Sequence, residues 1–142
     1  MTTAATAAAS ASEIVGTPAR IPTIDVVIVN YNTRERTIEG IRSVLEQDVP
    51  GVRVVLVDNG SSDGSVAAIR ARLPEVHVID AGENTGFARA VNRGVSAGTS
   101  DFVLLMNPDA TAFHGSIGAI RDFAVAHPGY GVYGGRTLRP DG

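Results

Sequence analysis

The sequence contains no cysteine, which excludes disulfides, thiolate zinc sites and a cysteine nucleophile. It also lacks lysine, so all twelve basic residues are arginine. That removes a P-loop lysine, a Schiff-base lysine and the lysine that a phospho-acceptor receiver domain needs. A net charge of −3 gives no electrostatic footing for nucleic acid or an anionic membrane surface. No apolar run approaches the roughly 20 residues that span a bilayer, so no transmembrane segment is expected. The opening stretch, MTTAATAAASASE, has neither the basic nor the apolar region of a secretory signal. The expected location is cytoplasmic.

What is present reads as globular. With 44% hydrophobic and 19% charged residues over a length of 142, the chain suits one domain with a real core. Residues 1–20, rich in Ala, Thr and Ser, read as a disordered tail, and 21–142 as the folded part.

Short apolar runs alternate with helical patterns. Strands are expected at Ile24–Val29, Val54–Val57, Val76–Ile79 and Asp101–Met106. Helical stripes follow them: Ile38, Ile41, Val44 and Leu45; then Val66, Ile69 and Leu73; then Phe87, Val91 and Val95; then Phe113, Ile117, Ile120 and Ala124. Asn32 is placed to cap the first helix, with Glu35 as its capping-box partner. Tyr130–Gly135 reads as a further short strand. This βα alternation predicts an α/β fold, a mostly parallel sheet flanked by helices with right-handed crossovers.

The strands end in polar groups: Asn30-Tyr31-Asn32, Asp58-Asn59, Asp80 and Asn107-Pro108-Asp109. Parallel strands bring such ends to one edge, where open α/β sheets bind ligands. Asp58 there can accept from the N–H or hydroxyl groups of a base or ribose. Asp109 can serve as a hard-cation ligand that shares its metal with substrate phosphates. Each motif alone also reads as a plain turn, and Tyr31 as a half-buried aromatic. His77 reads as outward-facing, His114 and His127 as solvated, and Arg89 with Arg93 as a wet helix face. A Rossmann dehydrogenase is excluded, because no G-x-G-x-x-G follows the first strand. A sugar-phosphate nucleotidyltransferase would need a Gly-rich basic loop there, and Asn30-Tyr31-Asn32-Thr33 is not one.

Four ordered motifs carry a family resemblance: VVIVNYNT, VVLVDNGSSDGS, NTGFARAVNRGV and FVLLMNPDA. They resemble family 2 glycosyltransferases of the GT-A (Rossmann-like) fold, and within them a rhamnosyltransferase-like group. The resemblance implies that Asn30, Tyr31, Asp58, Asn84, Gly86 and Asn107 line the donor-nucleotide site. It implies Asp109 as the ligand of a divalent cation, Mg²⁺ or Mn²⁺, with Asn107 standing where such families often have a first aspartate. The implied reaction is inverting transfer of a sugar, rhamnose being one candidate, from a nucleoside diphosphate to an acceptor hydroxyl. The acceptor class is a glycan or lipid-linked sugar, handled in the cytoplasm or at the cytoplasmic face of the membrane. The catalytic base is implied to lie in a later, acceptor-binding half, so no residue here is assigned as catalytic. The chain is therefore expected to supply the donor-binding half and to leave apolar surface uncovered beyond Asp109, inviting homodimers. The alternative expectation is a non-catalytic nucleotide-binding or interaction module.

Overall fold

The computed structural model describes residues 20–138, so nearly all of the expected N-terminal tail lies outside the described residues. Eight elements alternate: β1 (Ile24–Asn30), α1 (Arg34–Leu45), β2 (Val52–Asp58), α2 (Ser65–Arg72), β3 (His77–Asp80), α3 (Phe87–Ser96), β4 (Phe102–Met106) and α4 (Ser116–Ala126). The strands form one sheet in the order β3-β2-β1-β4, and every pairing is parallel. The α/β architecture expected from the sequence is present.

Alternation along the strands divides the core in two. Val26, Ile28, Val54 and Leu56 face one side, where they bury Ile38, Ile41 and Val44 of α1, Ile69 of α2 and Ile117 of α4. Val29 and Val57 face the other side, against Ala90 of α3. Full burial of one such Ile or Leu contributes about 1.5–3 kcal/mol.

Three expectations are corrected here. Of the expected inner face of α3 only Val91 packs on the core, half-buried; Phe87 and Val95 are exposed, and Ala90 and Gly94 are the buried positions. The helix lies so close to the sheet that a Cβ on Gly94 would stand 2.6 Å from Val27 Cγ1. Only small residues fit that contact. Asn32 does not cap α1: it adopts a positive φ of 55°, and Thr33 occupies the cap position without a side-chain cap bond. The carboxylate that serves the helix start comes from the next loop, where Asp63 Oδ2 accepts from Arg34 N at 3.0 Å. Glu35 instead pairs with Arg34 and Arg72. Finally, Tyr130–Gly135 forms no strand, and β4 has no second neighbour among the described residues.

Apolar surface is uncovered beyond Asp109, at Phe113, Phe123, Tyr130 and Val132, and also before it, on β4. Val103 and Leu105 point from β4 to the α3 side of the sheet and are exposed. With Val95, Tyr130 and Val132 they line an open cavity of about 950 Å³.

At the opposite, N-terminal end of the sheet, Asp25 is wholly buried. Its Oδ1 accepts from Arg53 Nε at 2.8 Å, and the carboxylate sits where a Cβ on Gly98 would be. Burial by itself would raise this carboxyl, but bonds from Arg53 and Ser100 outweigh it and hold Asp25 below its ordinary range. The pair ties the starts of β1 and β2 to the α3–β4 turn.

Candidate functional site

Register builds the site. Asn30 pairs with Asp58, and Asp58 with Asp80, so three strand ends stand in one row at the carboxyl edge. The convergence expected from sequence is real. Asn30 and Asp58 share the parity of Ile28 and Leu56, so both side chains fall on the α1 side of the sheet.

Both are buried, Asp58 at 1% exposure and Asn30 at 0%. Asn30 Nδ2 donates to Asp58 Oδ2 at 2.6 Å and lies 3.0 Å from Ser61 Oγ. Ser61 N donates to Asp58 Oδ1 at 2.8 Å. A carboxylate offers about four lone-pair positions, so about two remain for a ligand. Asn30 Oδ1 accepts from the hydroxyls of Thr33 at 2.8 Å and Thr37 at 2.7 Å.

The loops above this row are laced together. Asn32 Oδ1 accepts from Ser62 N at 2.8 Å, and Asn32 N donates to Ser61 Oγ at 2.9 Å. Asn59, almost fully buried, donates through Nδ2 to Asn84 Oδ1 at 2.9 Å and accepts from Thr85 N at 3.0 Å. Asn84 Oδ1 also accepts from Gly86 N, shaping the turn into α3. Gly60 completes the contact. Its φ is +84°, and a Cβ there would lie 2.7 Å from the Glu83 carbonyl carbon. Asp63 accepts from Arg34 N and from the Ser65 N–H and hydroxyl; burial pushes its carboxyl up, and these bonds outweigh that and hold it low.

Around this rigid base stand exposed groups. Tyr31, Asn84, Gly86, Asn107 and Asp109 are all exposed. The Asn107–Ala110 turn is seated over α1, where a Cβ on Gly40 would come within 2.8 Å of Ala110 O. Among the described residues no three His, Asp or Glu side chains gather as a metal cluster. Asp109 presents an exposed carboxylate at this edge, the type of oxygen donor that a hard cation prefers. His77, His114, His127, Arg89 and Arg93 are exposed, as the sequence suggested.

Sequence reasoning missed Thr37, Ser61 and Asp63 as parts of this assembly, and named Asn59 only as one of the polar strand ends. Thr37 carried a signal: it sits four residues before Ile41 and seven before Val44, a polar group on the apolar stripe of α1.

The model for glycosyl transferase family 2 matches residues 25–142. The chain belongs to glycosyl transferase family 2. This family 2 chain is 35% identical over 130 residues to an N-acetylglucosaminyl-diphospho-decaprenol L-rhamnosyltransferase of Mycobacterium tuberculosis, a match covering 84% of the chain and 42% of the relative. It is 29% identical over 89 residues to the glycosyltransferase GlyG of Streptococcus pneumoniae, covering 61% of the chain and 30% of the relative. The mannosyltransferase PcManGT of Pyrobaculum calidifontis, solved with GDP-Man and Mn²⁺, superposes with a TM-score of 0.60 at 27% identity, covering 70% of this chain and 31% of that one. TarS of S. aureus (residues 1–349) superposes with a TM-score of 0.67 at 22% identity, over 75% of this chain and 33% of that one. The family 2 chain therefore has the GT-A fold and spans less than half the length of these relatives. No described helix is long and apolar enough to cross a membrane.

Proposed function

We propose that the carboxyl edge of this sheet binds a nucleoside diphosphate sugar. In this reading the chain supplies the donor-binding half of an inverting transferase whose acceptor hydroxyl and general base are met elsewhere in the protein. The observation that carries the reading is the buried Asn30–Asp58 pair, in register at the edge and roofed by three interlocked loops. Such preorganisation suits a small polar ligand, because its acceptors need not reorder on binding.

The free acceptor positions of Asp58 take an N–H of the base or a ribose hydroxyl, while Tyr31 and the Asn84–Gly86 turn flank the nucleoside. The diphosphate then extends toward Asn107 and Asp109. Their strand lies two spacings from β2, roughly 10 Å away, a span that a diphosphate can bridge. Asp109, with Asn107 beside it, would hold a Mg²⁺ or Mn²⁺ ion against the phosphates. When bound, that ion neutralises the charge that develops on the departing diphosphate. Support comes from the mannosyltransferase solved with GDP-Man and Mn²⁺ and from the rhamnosyltransferase relative, whose name also points to a lipid-linked acceptor. Such an acceptor would place the protein at a membrane face. The apolar Val103 and Leu105 on an edge strand support pairing of two copies.

Titrating the ¹⁵N-labelled chain with UDP and dTDP in the presence of Mg²⁺ tests the placement. Amide shifts are expected at residues 30–34, 58–65, 84–87 and 107–109. Shifts centred on Asp25, Arg53 and Gly98, at the other end of the sheet, would overturn it.

A further inference from the structure

We infer that Asn30 is a positioning residue for Asp58, held in its working orientation by the hydroxyls of Thr33 and Thr37. The resemblance suggested that Asn30 lines the nucleotide site, but the structure gives its side chain another task. It is wholly buried, and both ends of its amide are used inside the protein. A group so enclosed acts on a ligand through its neighbour.

The chemistry fixes the direction of the chain of bonds. Asp58 Oδ2 is an acceptor, so the amide must turn its NH₂ end toward it, 2.6 Å away. That leaves Asn30 Oδ1 facing α1, where two hydroxyls serve it at 2.7 and 2.8 Å. The Thr37 hydroxyl also lies 2.9 Å from Thr33 O, but it has one proton, and the shorter contact is to Asn30. With its oxygen anchored, the amide resists a flip that would set carbonyl oxygen against carboxylate. Ser61 N holds the other carboxylate oxygen at 2.8 Å, so Asp58 is gripped on both sides and its unused lone pairs point in fixed directions. The path Thr37–Asn30–Asp58 runs from the helix stripe to the strand edge, and of the three only Asp58 retains any exposure, at 1%.

This inference rests on the proposed nucleotide site, and Thr37 offers a test that separates the two. Thr37→Val keeps the shape and removes the hydroxyl; Thr37→Ser keeps the hydroxyl and removes the methyl group. Affinity for UDP and dTDP is read by calorimetry on protein shown to be folded by circular dichroism. Positioning predicts that Thr37→Val weakens binding about fivefold, the effect of one lost hydrogen bond. Thr37→Ser should bind within about twofold of wild type. A packing role predicts the reverse order, with Thr37→Ser the less stable variant and affinity unchanged in Thr37→Val; that result overturns the inference. Asn30→Ser, which retains a short donor, should likewise outbind Asn30→Ala, and equal affinities of those two would also count against it. If the wild-type chain binds neither nucleotide, or Asp58→Ala binds as tightly as wild type, the site itself is misplaced and the inference falls with it.

Discussion

Asp58→Ala is expected to lose nucleotide binding and to melt well below the wild-type chain. The alanine removes an acceptor from buried Asn30 Nδ2, which keeps only Ser61 Oγ, and from half-buried Ser61 N. Each lost bond to the carboxylate costs about 1–3 kcal/mol, and together they lower the melting temperature by on the order of 10 °C. Binding should suffer more. A hydrogen bond to a charged group is worth about 1.5–3 kcal/mol, so the loss of even one to the nucleoside weakens affinity about 10- to 100-fold. The β2–α2 loop, which Asp58 folds around Ser61, loosens at the same time. Thermal melting and calorimetric titration with UDP and dTDP separate the two effects. A variant that melts within about 2 °C of wild type and binds equally well would contradict the account.

The second large effect lies at the far end of the sheet and concerns stability alone. Arg53→Met removes the partner of a buried carboxylate while leaving the aliphatic packing of the side chain. Breaking a buried ion pair costs about 3–5 kcal/mol, and the half-exposed position of Arg53 argues for about 3. The sign of the pH dependence follows from the depressed carboxyl of Asp25. Its stabilising contribution is complete above the unfolded-state value, about 3.9, and is lost as pH falls through the lower folded-state value. In Arg53→Met only the bonds from Ser100 still oppose burial, so protonation of Asp25 becomes less costly to the fold. Wild type and variant should differ most near pH 7 and converge below about pH 4. Urea melts at both values check this; a gap that stays constant with pH would contradict it. Nucleotide affinity of the folded variant should be unchanged.

Much of the fold was legible because its signals are local. IDVVIV and VVLV are too apolar and too short for anything but central strands, and the polar groups that follow them mark the strand ends. Asp58 stood out for that reason. The inner face of α3 was not legible. Phe87, Val91 and Val95 make the more apolar stripe, but the helix lies so close to Val27 and Val57 that Ala90 and Gly94 take the centre of the contact, with Val91 at its flank and Phe87 and Val95 exposed. Helix-to-sheet spacing is a tertiary property that periodicity does not encode. Asp25 met the same limit: a charge inside an apolar strand shows its purpose only when Arg53 and Gly98 arrive from distant segments. Asn32 and Glu35 satisfied the local rule for a capping box, yet Asp63 from the next loop took the place. Asn30 was found for its position, and its task became readable only once Thr37 was seen beneath it.

The most direct test of the central claim is calorimetric titration of the wild-type chain with UDP and dTDP, with and without Mn²⁺, alongside Asp109→Ala. The account predicts saturable one-to-one binding of at least one nucleotide, tightened by Mn²⁺ in wild type. In Asp109→Ala the metal-free affinity should persist and the tightening should vanish. A folded chain that takes up neither nucleotide, with or without Mn²⁺, would contradict it.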